Sequence, residues 1–122
     1  VEALTMPSMP WRMTQTGVTT TAGYSAIYVP DISVRPFSLS VGCVVTSTAM
    51  AYSVQHSYDY TGSSTFVSTA ATWFTPTAFS TIAGLNAEGT YTYPVTAIRL
   101  NVTTGTTAAS TASVAVTIIQ AG

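Results

Sequence analysis

From Phe37 to Thr46 the odd-numbered positions Phe37, Leu39, Val41, Cys43 and Val45 are apolar, and Ser38, Ser40, Gly42, Val44 and Thr46 lie between them. A period of two is that of a strand with one buried face, and no helix can bury such a pattern. A second alternating run sets Tyr52, Val54, His56 and Tyr58 against Ala51, Ser53, Gln55 and Ser57. With a turn at Thr46 to Thr48 between them, the two runs read as a hairpin. Two further strands are predicted at Ala97 to Thr103, with Ile98, Leu100 and Val102 inward, and at Ser113 to Gln120, with Val114, Val116 and Ile118 inward. Thr104 to Ala112, containing Gly105 and otherwise small polar residues and Ala, reads as the hairpin tip joining them.

Weaker signals fill the remainder. Tyr24 to Val29 is a shorter strand closed by Pro30, which biases Val29 towards an extended conformation. Gly62-Ser63-Ser64 is a loop, Ala70 to Phe74 a short strand, and Thr77 to Ile82 a helical turn after Pro76. Lys is absent and β-branched residues dominate wherever the period is clear, so helices are disfavoured. Six to eight short strands with polar turns predict an all-β fold, a single antiparallel β-sandwich or jelly roll over residues 24–122. Residues 1–23 have no steady period and read as an extended N-terminal arm. Its Met6, Met9, Trp11 and Met13 should be buried against something, because leaving each in water costs about 1.5–3 kcal/mol. The chain's own domain is the simpler target and a neighbouring subunit the sharper one.

Composition removes several classes of function. At 122 residues the chain holds one domain's core. Only 6% of residues are charged and the formal net charge is -1, so there is no supply of cations for a nucleic-acid backbone. One Cys and one His fall short of a zinc site or a disulfide, and neither metal nor cofactor is expected. No apolar run approaches the roughly 18 residues of a membrane span, and the first residues resemble no leader, so neither membrane nor signal segment is expected.

Few residues could carry chemistry. His56 shares a phase with Tyr52, Val54 and Tyr58 and reads as a buried histidine bonded to a carbonyl or a Tyr hydroxyl. A catalytic set with Ser57 and Asp59 fails on geometry, since in a strand those two point away from His56. Cys43, among apolar neighbours, reads as inert packing. Glu2, Asp31, Asp59 and Glu88 are too scattered to suggest paired carboxylates, and Asn101-Val102-Thr103 is a short glycosylation match. No catalytic residues are expected. Trp73 and Phe74 are candidates for a sugar-stacking platform, with Gln55, Asp59, Asn86 and Asn101 beside it; sandwich core is the simpler reading of both aromatics. Gly89 to Pro94 looks like a sheet corner at which a Tyr ties its hydroxyl to nearby backbone.

Over residues 37–122, the strand Tyr52 to Asp59, the segment Ala71-Thr72-Trp73-Phe74, and the ending Tyr93 to Val102 with Val114 to Gly122 resemble small structural proteins of tailed bacteriophages. The likeness is to head decoration or cement proteins of β-sandwich or jelly-roll type. It implies a non-enzymatic virion protein on the capsid exterior, with major capsid protein and copies of itself, often as trimers, for partners. The alternative is a carbohydrate- or receptor-binding module of a tail or head appendage. The arm has no counterpart in that resemblance. A nearly uncharged, Thr/Ser-covered chain fits an assembled life, because edge strands without Lys accept a partner strand readily.

Overall fold

The alternating segments form two antiparallel sheets packed face to face, and the whole is all-β, consistent with a β-sandwich. The computed structural model describes residues 23–33, 36–59, 67, 69–105 and 112–120, together with the backbone of 11–16. Eight strands are found among them: β1 (Trp11–Thr16), β2 (Gly23–Tyr24), β3 (Leu39–Val45), β4 (Ala51–Ser57), β5 (Ile82–Ala83), β6 (Ala87–Tyr91), β7 (Ala97–Thr104) and β8 (Ser113–Gln120). The first sheet has the order β1-β8-β3-β6 and the second β2-β7-β4-β5.

The periods seen in the sequence select the buried faces as expected. Leu39, Val41 and Cys43 of β3, Tyr52 and Val54 of β4, Ile98, Leu100 and Val102 of β7, and Val114, Val116 and Ile118 of β8 all point into one core. Tyr52 is fully buried, and its hydroxyl donates to the Leu85 carbonyl at 2.6 Å, which satisfies the one polar atom it takes inside.

Pairing departs from expectation. β3 and β4 are not a hairpin: β3 lies between β8 and β6, and β4 between β7 and β5. Thr46 to Met50 cross from one sheet to the other, a gap of about 10 Å that five extended residues span easily. That connection lacks the Asn-Gly or Gly pairs of a tight hairpin, and it buries Met50 completely in the core. β7 and β8 also lie in different sheets, so Thr104 and Ala112 are the ends of a connection between sheets and not of a hairpin; Ala112 is buried.

Local differences follow the same rule that partners decide. Phe74 makes an isolated bridge to His56 in place of a strand over 70–74, and the helical turn is a 3-10 turn at Thr77–Phe79. Tyr24 to Val29 is reduced to β2 and a bridge at Tyr28. β5 and β6, which have little period, arise from pairing with β4 and β3. Between them Gly84 has φ +66, and a Cβ there would lie 2.7 Å from the Thr48 backbone, so only glycine fits this crossing.

In the segment read as an arm, Trp11–Thr16 is an edge strand paired along β8 from Trp11↔Ile118 to Thr16↔Ser113. Over that stretch the chain's own domain is the target. Met6 and Met9, and the side chains of Trp11 and Met13, lie outside the described residues.

Candidate functional site

Two outward faces and one end of the sandwich hold the side chains that could meet a partner. On the second sheet the alternation that sends Ile98 and Leu100 inward sends Arg99 outward, opposite Gln55 of β4. The Arg99 Nε donates to Gln55 Oε1 at 2.9 Å, and Gln55 Nε2 donates to Thr75 Oγ1 at 3.3 Å. Tyr24 sits one strand over, in register with Asn101, and its ring centroid is 3.9 Å from the guanidinium carbon of Arg99. Trp73 comes from the other side of β4. Its segment is fastened by His56 N–H to the Phe74 carbonyl at 2.9 Å and by Phe74 N–H to the His56 carbonyl at 2.8 Å. The Trp73 ring centroid is 4.1 Å from the same guanidinium carbon.

Each such contact contributes about 0.5–2 kcal/mol, which offsets part of the cost of removing a cation from water. Arg99 is 9% exposed; burial pulls its pKa down, and the neighbouring Tyr24 opposes that pull. Ser57 and Ala97, which point away from the core, are fully buried, so this face is roofed.

Trp73 and Phe74 therefore do not make one platform. As neighbours in an extended segment they point oppositely, Trp73 to the roof and Phe74 to the end of the sandwich. Neither is core: Trp73 is half-buried and Phe74 is 47% exposed. Of the polar residues set beside them, Gln55 and Asn101 lie near the Arg99 roof by register. Asn86 instead accepts the Val45 N–H at 3.0 Å, and Asp59 accepts that of Thr72 at 2.8 Å, so both are structural.

At the end of the sandwich His56 is the hub of an aromatic cluster. Its Nδ1 is 3.1 Å from the Tyr91 hydroxyl, so of the two partners expected for a buried histidine, a carbonyl or a Tyr hydroxyl, it has the second. Tyr91, in the stretch read as a sheet corner, so directs its hydroxyl to a side chain. The rings of Tyr58, Phe74, Tyr91 and Tyr93 pack round the imidazole at centroid distances of 5.4, 5.9, 5.2 and 5.9 Å. Burial lowers the His56 pKa and raises that of Tyr91, so both stay uncharged at neutral pH. Ser57 Oγ accepts the Asp59 N–H at 3.1 Å and does not join His56, so the three form no nucleophile-base pair. Cys43 is buried on the inner face of β3, and desolvation pushes its thiol up to about 12. No group of metal-ligating side chains occurs among the described residues, and no helix among them is long and apolar enough to cross a membrane.

The outward face of the first sheet is different in kind. β3 presents Ser40, Gly42 and Val44, and β8 presents Ala115, Thr117 and Ile119 beside them. Val44 is 54% and Ile119 46% exposed. Among the described residues nothing lies within 4 Å of where a Gly42 Cβ would be, and a groove of about 450 Å³ lies between β3 and β6 there. Glu88, in register with Gly42, is the one ionisable side chain on this face among those described.

The Arg99 roof escaped the sequence reading, though it left a signal: a lone cation inside an apolar strand, Ile98-Arg99-Leu100, of a chain with three cations in all. Its aromatic partners are distant in sequence and no period could find them. Comparison with family models, with curated proteins and with solved structures gives no match, so the site is read from its own geometry.

Proposed function

We propose that this protein is a non-enzymatic structural β-sandwich of the capsid decoration or cement kind, held on a shell of major capsid protein and beside copies of itself. The observation that supports this reading is the outward face of the first sheet. Its described side chains are small or apolar apart from Glu88, it exposes Val44 and Ile119 in its middle strands, and the register sets Arg12 of β1 opposite Thr117 at its edge. Burying such a face costs little desolvation, and each well-covered apolar side chain contributes about 1.5–3 kcal/mol. With 6% of its residues charged, the free chain has weak protection against association. Since β1 takes residues 11–16 into the domain's own sheet, the bridging contact is assigned to this face and not to that stretch of the arm.

Imaging of the particle that carries the protein tests the reading. Regular copies seated through the β3-β8 face are expected, with an interface above about 1,000 Å². Val44→Asp and Ile119→Asp should strip the protein from the particle while its circular dichroism and melting remain those of the parent. A protein found only free and monomeric in its native setting, or one bound undiminished with both aspartates in place, overturns the proposal.

A further inference from the structure

The roof over the second sheet contains a cation that no carboxylate matches among the described residues. Arg99 is 9% exposed, and among the described residues its guanidinium meets Gln55, Tyr24 and Trp73, none of them a carboxylate. Among the described residues no carboxylate contributes to its electrostatics. Buried charges are ordinarily paired. Gln55 occupies the Nε donor and Tyr24 also bonds the guanidinium, which orients the planar group; among the described residues no carboxylate meets the Nη donors, whose fork matches one. Beside the fork stand the Tyr24 ring, 58% exposed, the half-buried Trp73 ring, and the polar side chains of Asn101 and Thr75.

We propose that Arg99, Tyr24 and Trp73 form a binding site for an acidic saccharide, one whose sugar ring carries a carboxylate, as a hexuronic or sialic acid does. The guanidinium pairs the carboxylate, an aromatic face stacks against the C–H face of the sugar ring, and the amides of Gln55 and Asn101 select its hydroxyls. The stacked guanidinium is weakly hydrated and fixed in direction, so little order is lost when the carboxylate arrives. A phosphate would meet the same fork but would not use the rings. The site does not depend on the proposed shell contact, which is on the opposite sheet.

The test is a titration of the isotopically labelled full chain by NMR, reading the Arg99 Nε–H and the Trp73 indole N–H. Methyl glucuronide and the methyl glycoside of sialic acid are the acidic probes; methyl glucoside, sodium acetate and inorganic phosphate are the controls. At least one acidic sugar should shift both signals with saturation in the millimolar range, at least about tenfold more tightly than glucoside, acetate or phosphate. Arg99→Lys, which keeps the charge and loses the fork, should weaken binding by about tenfold or more. Should that variant fail to fold, Tyr24→Ala at the exposed ring serves, with the same weakening expected. No shift up to about 50 mM of either acidic sugar, equal binding of the neutral glucoside, or equal binding of acetate or phosphate, each overturns the proposal.

Discussion

The two sheets share a core but differ on their outer faces. On the first, Ser40, Val44 and Ile119 are exposed and a groove lies at Gly42. On the second, the outward Ser53, Ser57 and Ala97 are as buried as core residues, and Arg99 is held between aromatic neighbours and hydrogen-bonded to Gln55. Strand alternation is the same in both. The difference comes from what crosses each face: the second sheet has Arg99 and receives Tyr24 and Trp73 from its flanks, whereas the described outward positions of β3 and β8 are Ser40, Gly42, Val44, Ala115, Thr117 and Ile119. A sheet can thus finish its outer face from within the chain or leave that work to a partner, and this molecule does one on each side.

The comparison can be broken most severely from inside β7. Leu100→Ala empties a fully buried site and should lower unfolding free energy by about 2–5 kcal/mol in a denaturant melt. One position away on the outward face, Arg99→Ala should cost about 1–3 kcal/mol, through the lost ring contacts and the stranded Gln55 acceptor. If it costs less than about 0.5 kcal/mol, the roof contributes nothing to the fold and the contrast between the faces is one of exposure only.

At the end of the sandwich pH should act. The folded state holds the His56 pKa below its ordinary 6.5, so the unfolded chain binds the proton more readily. Stability from this group is fully present above about pH 6.5 and is lost as pH falls below it, no more steeply than about 1.4 kcal/mol per pH unit. His56→Gln should flatten that slope in melts taken between pH 7 and about pH 5. On the alkaline side Cys43, raised from 9.0 to about 12, and Tyr52, raised from 10.0 to about 12, act in the other direction: their contribution is present below the ordinary values and fades above them. A thiol reagent at neutral pH should accordingly label Cys43 only once the chain is unfolded.

The smallest effect belongs to the bare face. Val44→Ser and Ile119→Ser should each change the stability of the isolated chain by about 0.5 kcal/mol or less, because both side chains are half in water already. A larger loss would mean that this face is packed within the folded chain, and it would remove the asymmetry between the sheets.

Much of the molecule was legible beforehand where burial repeats every second residue. β3, β4, β7 and β8 lie where their alternation put them, within a residue or two, and their apolar phases face the core. β5 and β6 were not legible, since Ile82–Ala83 and Ala87–Tyr91 become strands only because β4 and β3 offer them open backbone. His56 was rightly read as a buried histidine, because its phase with Tyr52 and Val54 directs it inward; of the two partners open to it, a carbonyl or a Tyr hydroxyl, the fold supplies Tyr91. Trp73 and Phe74, for which core was the simpler reading and a shared platform the candidate, face different sides, because adjacency in an extended segment separates side chains.

What the sequence alone determined is the class of fold and the inner faces, because both follow from a local property, the alternation of apolar and polar side chains along each strand. The tertiary structure decided which strand lies beside which, that β3 and β4 belong to different sheets, and that Arg99 meets Tyr24 and Trp73. Those outcomes depend on contacts between residues distant in the chain, whose energies exist only after the two sheets have closed on a common core.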